Sequence, residues 1–369
     1  MTADTAAQFT ISVNWGDGSS PTSANVTGGS GSFTIGGTHT YTGAGTGTVT
    51  ATITVTAPSG SVATGSVTGT LTKYVVGSTV FETTLQAGRN PTFITVGADS
   101  AIWFSENTSL GRLTTTGTLN EFTLPNGGTP SGLAKGPDGN MWFIDDSNNV
   151  LENVTSAGVF NRSFTIPPAS VLPLEMVFGP DSNEWFIDGQ NSQAEAFIFN
   201  TAMFTMHPFG ANSVASHICV GPDNNIWLPE TNNGKIDRIN ITTGALSSFT
   251  VNAAAVPIHA IAAGPDGNVW FAEEGTASVG RISTSGTGYA EFPLITARSA
   301  PYGITAGPDG NVWVTESSAN LIARVTPSGA VTEYPIPTAR STPEEILTGP
   351  DNRLWFTETG GSRVGHVSP

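Results

Sequence analysis

The chain has a single cysteine, Cys219, among its 369 residues, so no disulfide can form within it. Cys219 sits in the apolar run HICVG and reads as a buried structural thiol. Charge is also scarce: only 11% of residues are Asp, Glu, Lys or Arg. Basic residues are the scarcer kind, 13 against 29 acids, for a net charge of −16. Nucleic acid and anionic membrane surfaces both need clustered Lys and Arg, so neither is an expected partner. No apolar stretch approaches the roughly 18 residues of a membrane-spanning helix. The start, MTADTAAQFTISV, has no basic segment followed by an apolar core, so it does not read as a signal peptide.

What is abundant is a repeat. A Gly-Pro-Asp turn is followed by a Trp six residues after its Gly and an acid three residues after the Trp. The copies are GADSAIWFSE (97–106), GPDGNMWFID (136–145), GPDSNEWFID (179–188), GPDNNIWLPE (221–230), GPDGNVWFAE (264–273), GPDGNVWVTE (307–316) and GPDNRLWFTE (349–358). The Trps are spaced 39, 43, 42, 43, 43 and 42 residues apart. A period near 42 with strand-like content predicts one β-propeller blade per repeat, hence an all-β, seven-bladed ring over residues 73–369. Residues 79–86, TVFETTLQ, resemble the last strand of a repeat, and the chain ends one strand short of a seventh. The expectation is a last blade built from both ends of the ring, with 79–86 outermost, which leaves no free sheet edge. One Trp per blade at a fixed position predicts packing between blades, each indole worth on the order of 4–6 kcal/mol at most.

Residues 1–72 carry no copy of the repeat and alternate instead in short strands: FTISVNW, SFTIGG, TVTATITVT and SVATGSVTGTL. This spacing predicts an antiparallel sandwich. The pieces WGDGS (15–19) and HTY (39–41), the latter ahead of the long strand, resemble the polycystic kidney disease (PKD) domain, an immunoglobulin-like module. That resemblance implies a spacer or contact unit outside the cell, within a larger multidomain chain. An extracellular or cell-surface location is therefore expected.

The repeated acids are Glu106, Asp145, Asp188, Glu230, Glu273, Glu316 and Glu358. A hairpin symmetric about the turn Asp would set each opposite a residue early in the innermost strand. The pairs would be Thr92/Glu106, Ser131/Asp145, Leu174/Asp188, Ser216/Glu230, His259/Glu273, Tyr302/Glu316 and Glu344/Glu358, clustered at the mouth of the central channel. A one-residue slip would turn the side chains to the other face. Departures from the repeat stand out: His259, Tyr302 and Glu344 fall in adjacent blades, a candidate acid/base set of His259 and Tyr302. Glu273, Glu316, Glu344 and Glu358 would line the mouth beside them, and Glu273, Glu344 and Glu358 are the candidate ligands for a cation. His217 lies one position off this slot and reads as a core histidine.

Repeats such as PYGITAGPDGNVWVTESSANLIARVTPSGAVTEYPIPTARS (301–341) resemble the virginiamycin B lyase, or streptogramin lyase, family across residues 73–369. The resemblance implies a seven-bladed fold. It also implies Mg²⁺-dependent opening of a cyclic depsipeptide by elimination at its ester C–O bond. The family's catalytic histidine lies in the innermost-strand slot, with a second in the same slot of the preceding repeat. Residue by residue, only His259 matches; the last two repeats carry Tyr302 and Glu344. The expectation is a non-catalytic extracellular recognition or scaffold module that takes a small molecule, glycan or peptide at the propeller face. The alternative is a Mg²⁺-dependent lyase with His259 as base.

Overall fold

A computed structural model describes residues 80–167, 173–210, 213–251 and 257–369, and before them the strands within 10–71. The chain divides into two compact units, residues 1–78 and 79–369. In the first, the strands Thr10–Asn14, Thr22–Ser23, Gly47–Thr56 and Val62–Leu71 form one antiparallel sheet. Asn25–Gly29 and Ser32–Gly36 form a separate hairpin. The WGDGS and HTY segments lie outside the described residues.

The second unit is seven four-stranded antiparallel sheets, each running outward from a central channel. The fifth blade is typical, with Ile258–Ala263 innermost, then Val269–Glu273, Ser278–Ile282 and Ala290–Pro293. In the last blade the outermost strand is Phe81–Thr84, paired with Arg363–Val367 in the register Thr84↔Arg363 and Phe81↔His366. The expected closure is therefore formed. Its apolar seal joins Leu85, Ile102, Phe104 and Leu113 to Trp355 and Val364.

The repeated motif has a physical reason at each position. The turn Asp266 accepts both the backbone N–H of Asn268 (3.2 Å) and the indole N–H of Trp270 (2.9 Å). The Asp–indole bond recurs in all seven blades, from Asp99, Asp138, Asp181, Asp223, Asp309 and Asp351. Glycine opens the turn because the indole edge lies against it: a Cβ on Gly264 would stand 2.1 Å from Trp270 Cδ1. The position after the Asp has φ of +77° at Gly267 and +60° at Asn352, which explains why Gly, Asn or Ser fills it. Trp270 then packs with Ala260 and Ala272 of its own blade and Ile304, Val312 and Val314 of the next, forming the inter-blade core. The Asp–indole bond removes the one polar cost of burying that ring.

Candidate functional site at the channel mouth

The innermost strands do not keep the symmetric register expected of them. In blade five Ala262 opposes Trp270 and Ile261 opposes Phe271, but Ile258, not His259, opposes Glu273. A β-bulge sets His259 and Ala260 together across from Ala272. Blades six and seven repeat it, with Pro301↔Glu316 before Ile304↔Val314 and Pro343↔Glu358 before Ile346↔Phe356. Blades two and three carry the same irregularity, so Pro130 opposes Asp145 and Pro173 opposes Asp188. The facing pairs His259/Glu273, Tyr302/Glu316 and Glu344/Glu358 are therefore not formed. The physical reason is the extra residue per blade.

The repeated acids consequently lie within the blades, fully buried, and not as a ring around the mouth. In blades two to four they accept local hydrogen bonds. Asp145 takes the Thr129 and Asn148 amides, Asp188 the Gln190 and Asn191 amides, and Glu230 the Ser213 hydroxyl at 2.7 Å. In blades five to seven they face an acid of the outermost strand. Glu273 accepts from Tyr289 Oη (3.1 Å) and Thr276 Oγ1 (3.2 Å) beside Glu291. Glu316 faces Glu333 near Ser299, and Glu358 faces Glu82 of the closing strand near Ser341. Burial, reinforced by the neighbouring carboxylate, pushes Glu273 to about 7 and Glu316 and Glu358 to about 8. Glu273, Glu316 and Glu358 are thus placed away from His259.

His259, Tyr302 and Glu344 do meet. The His259 and Tyr302 rings stack with centroids 3.7 Å apart. Tyr302 and Glu344 line a cleft of about 390 Å³ between blades six and seven, with Ser317, Ser318, Asn320, Arg340 and Thr342. Burial and the adjacent His217 drive His259 down to about 3, so its ring is neutral, and its Nδ1 has no hydrogen-bond partner among the described residues. Burial and then Glu345 and Glu344 hold the Tyr302 phenol protonated, well above its ordinary range. Glu344 is raised by burial and by Glu345, against a hydrogen bond with Thr359. This mouth offers an aromatic face, a carboxyl, a guanidinium and several neutral hydrogen-bonding groups. Neither His259 nor Tyr302 has the basicity of a proton acceptor at neutral pH.

Behind the mouth lies a residue the sequence reading assigned to the core. His217 points into the channel, its Nε2 2.6 Å from Glu345 Oε1 on the facing blade seven. Its ring lies 4.8 Å from that of His259 and 5.9 Å from that of Tyr302. Glu175 of blade three completes the group and accepts the Ile218 amide at 2.7 Å. Beyond these three the channel widens into a cavity of about 650 Å³, walled by the innermost strands of all seven blades. Cys219 lines this cavity and is half-buried, its thiol pushed up by burial and by Glu175.

The bulge explains why these residues were missed. In blades two, three, five, six and seven it shifts the position after the expected slot, occupied by Gly132, Glu175, Ala260, Gly303 and Glu345; Phe93 and His217 hold that position in blades one and four. Three ionisable side chains at a position otherwise held by Phe, Gly or Ala are the available signal. The Mg²⁺ set implied by the resemblance does not fit this arrangement. Glu273 and Glu358 are committed inside their blades, and the slots of blades six and seven hold a phenol and one carboxyl. No step through Mg²⁺ follows from these residues.

Comparison with known proteins agrees with the fold. No curated protein matched. Among solved structures, a streptogramin B lyase superposes with a TM-score of 0.73 at 26% identity, covering 79% of this chain and 97% of that one. A catalytically inactive histidine-to-alanine variant of virginiamycin B lyase from Staphylococcus aureus, with quinupristin, matches with a TM-score of 0.73 at 27% identity, over 79% and 99% of the two chains. The WD40 β-propeller domain of Doa1, at 9% identity and a TM-score of 0.65, shares the fold alone. The virginiamycin B lyase family model matches residues 37–288 and 202–369, together most of the chain. With its seven closed blades, the chain belongs to the virginiamycin B lyase family.

Proposed function

We propose that this propeller is a non-catalytic recognition module, carried with a PKD-like spacer in a larger extracellular or cell-surface protein. It takes a small molecule, or a glycan or peptide segment, in the cleft between blades six and seven. The observation that carries this reading is the state of the mouth. The slots where the resemblance implies a histidine pair hold Tyr302 and Glu344, and the one slot histidine, His259, is stacked on Tyr302 and pressed to about 3. A general base three units or more below the working pH is a weak proton acceptor, and acid/base participants typically supply about 10²–10⁴ in rate. The same residues suit binding: the Tyr302 ring gives a flat apolar face, with Glu344, Arg340 and Asn320 around it to orient a polar ligand.

The competing reading is a Mg²⁺-dependent cyclic-ester lyase with His259 as base, favoured by family membership. Incubation with quinupristin and Mg²⁺ separates the two. Elimination leaves the mass unchanged, so ring opening is followed as a change in chromatographic retention. The expected result is intact quinupristin at every time point. Turnover that needs Mg²⁺ and disappears in His259→Ala or Glu344→Ala would replace the recognition reading with the lyase.

A further inference from the structure

We propose that Glu175, His217 and Glu345, which blades three, four and seven bring together across the channel axis, form a binding site for one borderline divalent cation of the Zn²⁺ class. Among the described residues this is the one group of His, Cys, Asp and Glu whose ligand atoms all lie within 4.8 Å of one another. With metal–ligand bonds of about 2.0–2.1 Å, the edges of a tetrahedral site are roughly 3.3 Å long. The 2.6 Å separation of His217 Nε2 from Glu345 Oε1 and the 4.8 Å outer limit bracket that length.

The hydrogen bonds around His217 fix its chemistry. Ser216 Oγ donates to the His259 carbonyl at 2.7 Å, so its proton is committed. It must then accept from His217 Nδ1, 3.1 Å away, which places the ring proton on Nδ1. The Nε2 lone pair therefore faces a carboxylate oxygen 2.6 Å away. Two acceptors at that distance need a cation between them. Without the ion a proton serves, held on His217 Nε2 by the facing Glu345 carboxylate, and a divalent ion displaces it. The ion balances both carboxylates and leaves the imidazole neutral. The chain from Nδ1–H through Ser216 Oγ to a backbone carbonyl is the kind of support that orients a metal-bound histidine.

The site is also enclosed. His217 and Glu345 have side-chain exposures of 6% and 13%. The corresponding positions of blades two, five and six are Gly132, Ala260 and Gly303, which leave the axis open for an ion. A Cβ on Gly303 would come within 2.5 Å of the Glu344 carbonyl oxygen, so a side chain there is excluded. The wide cavity beyond supplies room for water to complete the coordination. An imidazole with two carboxylates selects zinc, cobalt or nickel over magnesium, which prefers oxygen ligands alone. Such an ion would tie blades three and four to blade seven across the channel. This inference concerns residues behind the cleft and stands apart from the recognition reading.

The test is titration of the chelator-treated full chain with Zn²⁺, Co²⁺ and Mg²⁺ by calorimetry, with Co²⁺ absorption as a reporter of coordination and anomalous diffraction to locate the ion. One Zn²⁺ per chain is expected, with its anomalous peak between His217 and the two glutamates and a rise in Tm on binding. Mg²⁺ at the same concentration should give no heat. His217→Ala should weaken Zn²⁺ binding at least about 100-fold, and Glu175→Gln and Glu345→Gln about 10- to 100-fold each, by analogy with losses at other metal sites. The glutamine variants keep shape and serve if His217→Ala fails to fold. Zn²⁺ that fails to bind the folded chain, that lies elsewhere, or that binds the folded variants undiminished overturns the proposal, as does equal binding of Mg²⁺.

Discussion

Raising the pH from 6 to 9 is expected to loosen the ring, and the paired carboxyls of blades six and seven contribute much of the effect. Glu316 and Glu358 are fully buried and held at about 8 by burial and by Glu333 and Glu82, against 4.5 in the unfolded chain. Their partners are already engaged: Glu333 accepts the Thr296 amide and hydroxyl, and Glu82 those of Thr338, at 2.7–2.8 Å. A carboxyl with a raised folded value binds more protons in the folded state. Its contribution is fully present below the unfolded value and is lost as the pH rises through the folded one. At about 1.36 kcal/mol per unit, each group loses at most about 2.7 kcal/mol between pH 6 and 9, and the two together about 5 kcal/mol. That approaches the whole stability of a typical domain and corresponds to a fall in Tm on the order of 10 °C. Differential scanning calorimetry at matched ionic strength reads it directly. Glu358→Gln should remove part of the slope, which Glu195 and Glu273, held at about 7, also share, and should raise Tm at pH 9. A Tm that is flat or rising from pH 6 to 9 in the unsubstituted chain would refute the reasoning.

Acid should act through other groups. Burial opposes ionisation of Asp138, Asp223, Asp266 and Asp309, but their indole and Asn hydrogen bonds hold them below the ordinary range. Their contribution is present above the unfolded value and lost as the pH falls through the folded one, so calorimetric stability should peak between the two regimes. Gly307→Ala should cost about 1–3 kcal/mol in urea unfolding, because its Cβ would meet Trp313 Cδ1 at 2.4 Å; a change near zero would show that the indole can move aside. Deleting residues 73–87 should lower Tm far more than deleting 1–70, since only the former exposes the edge of Arg363–Val367; equal losses would contradict this.

The propeller and its closure were legible because both are written repeatedly. Seven copies of one turn average out local ambiguity, and TVFETTLQ is recognisable as an outer strand by its likeness to other outer strands. Asp266 also accepts the Trp270 indole N–H, a role that its spacing alone does not reveal. The mouth was legible only as far as the bulge allowed. His259, Tyr302 and Glu344 come together as adjacent blades require, but the extra residue opposite Ala272, Thr315 and Thr357 breaks the count that paired them with Glu273, Glu316 and Glu358. His217 of blade four points into the channel from the position after the slot. A bulge has no signature in alternation, because strand counting assumes one residue opposite one.

The closing strand has a mechanical consequence. Phe81 opposes His366, close to the final residue of the chain, and Thr84 opposes Arg363 deeper in the pair. A force drawn between Val80 and Val367 therefore enters at one end of an antiparallel pair and peels it open bond by bond, instead of shearing all its bonds at once. Tension applied across the ring would part this seam at low load, before the other blades feel it. The first event under stretching is then the release of a single four-residue strand.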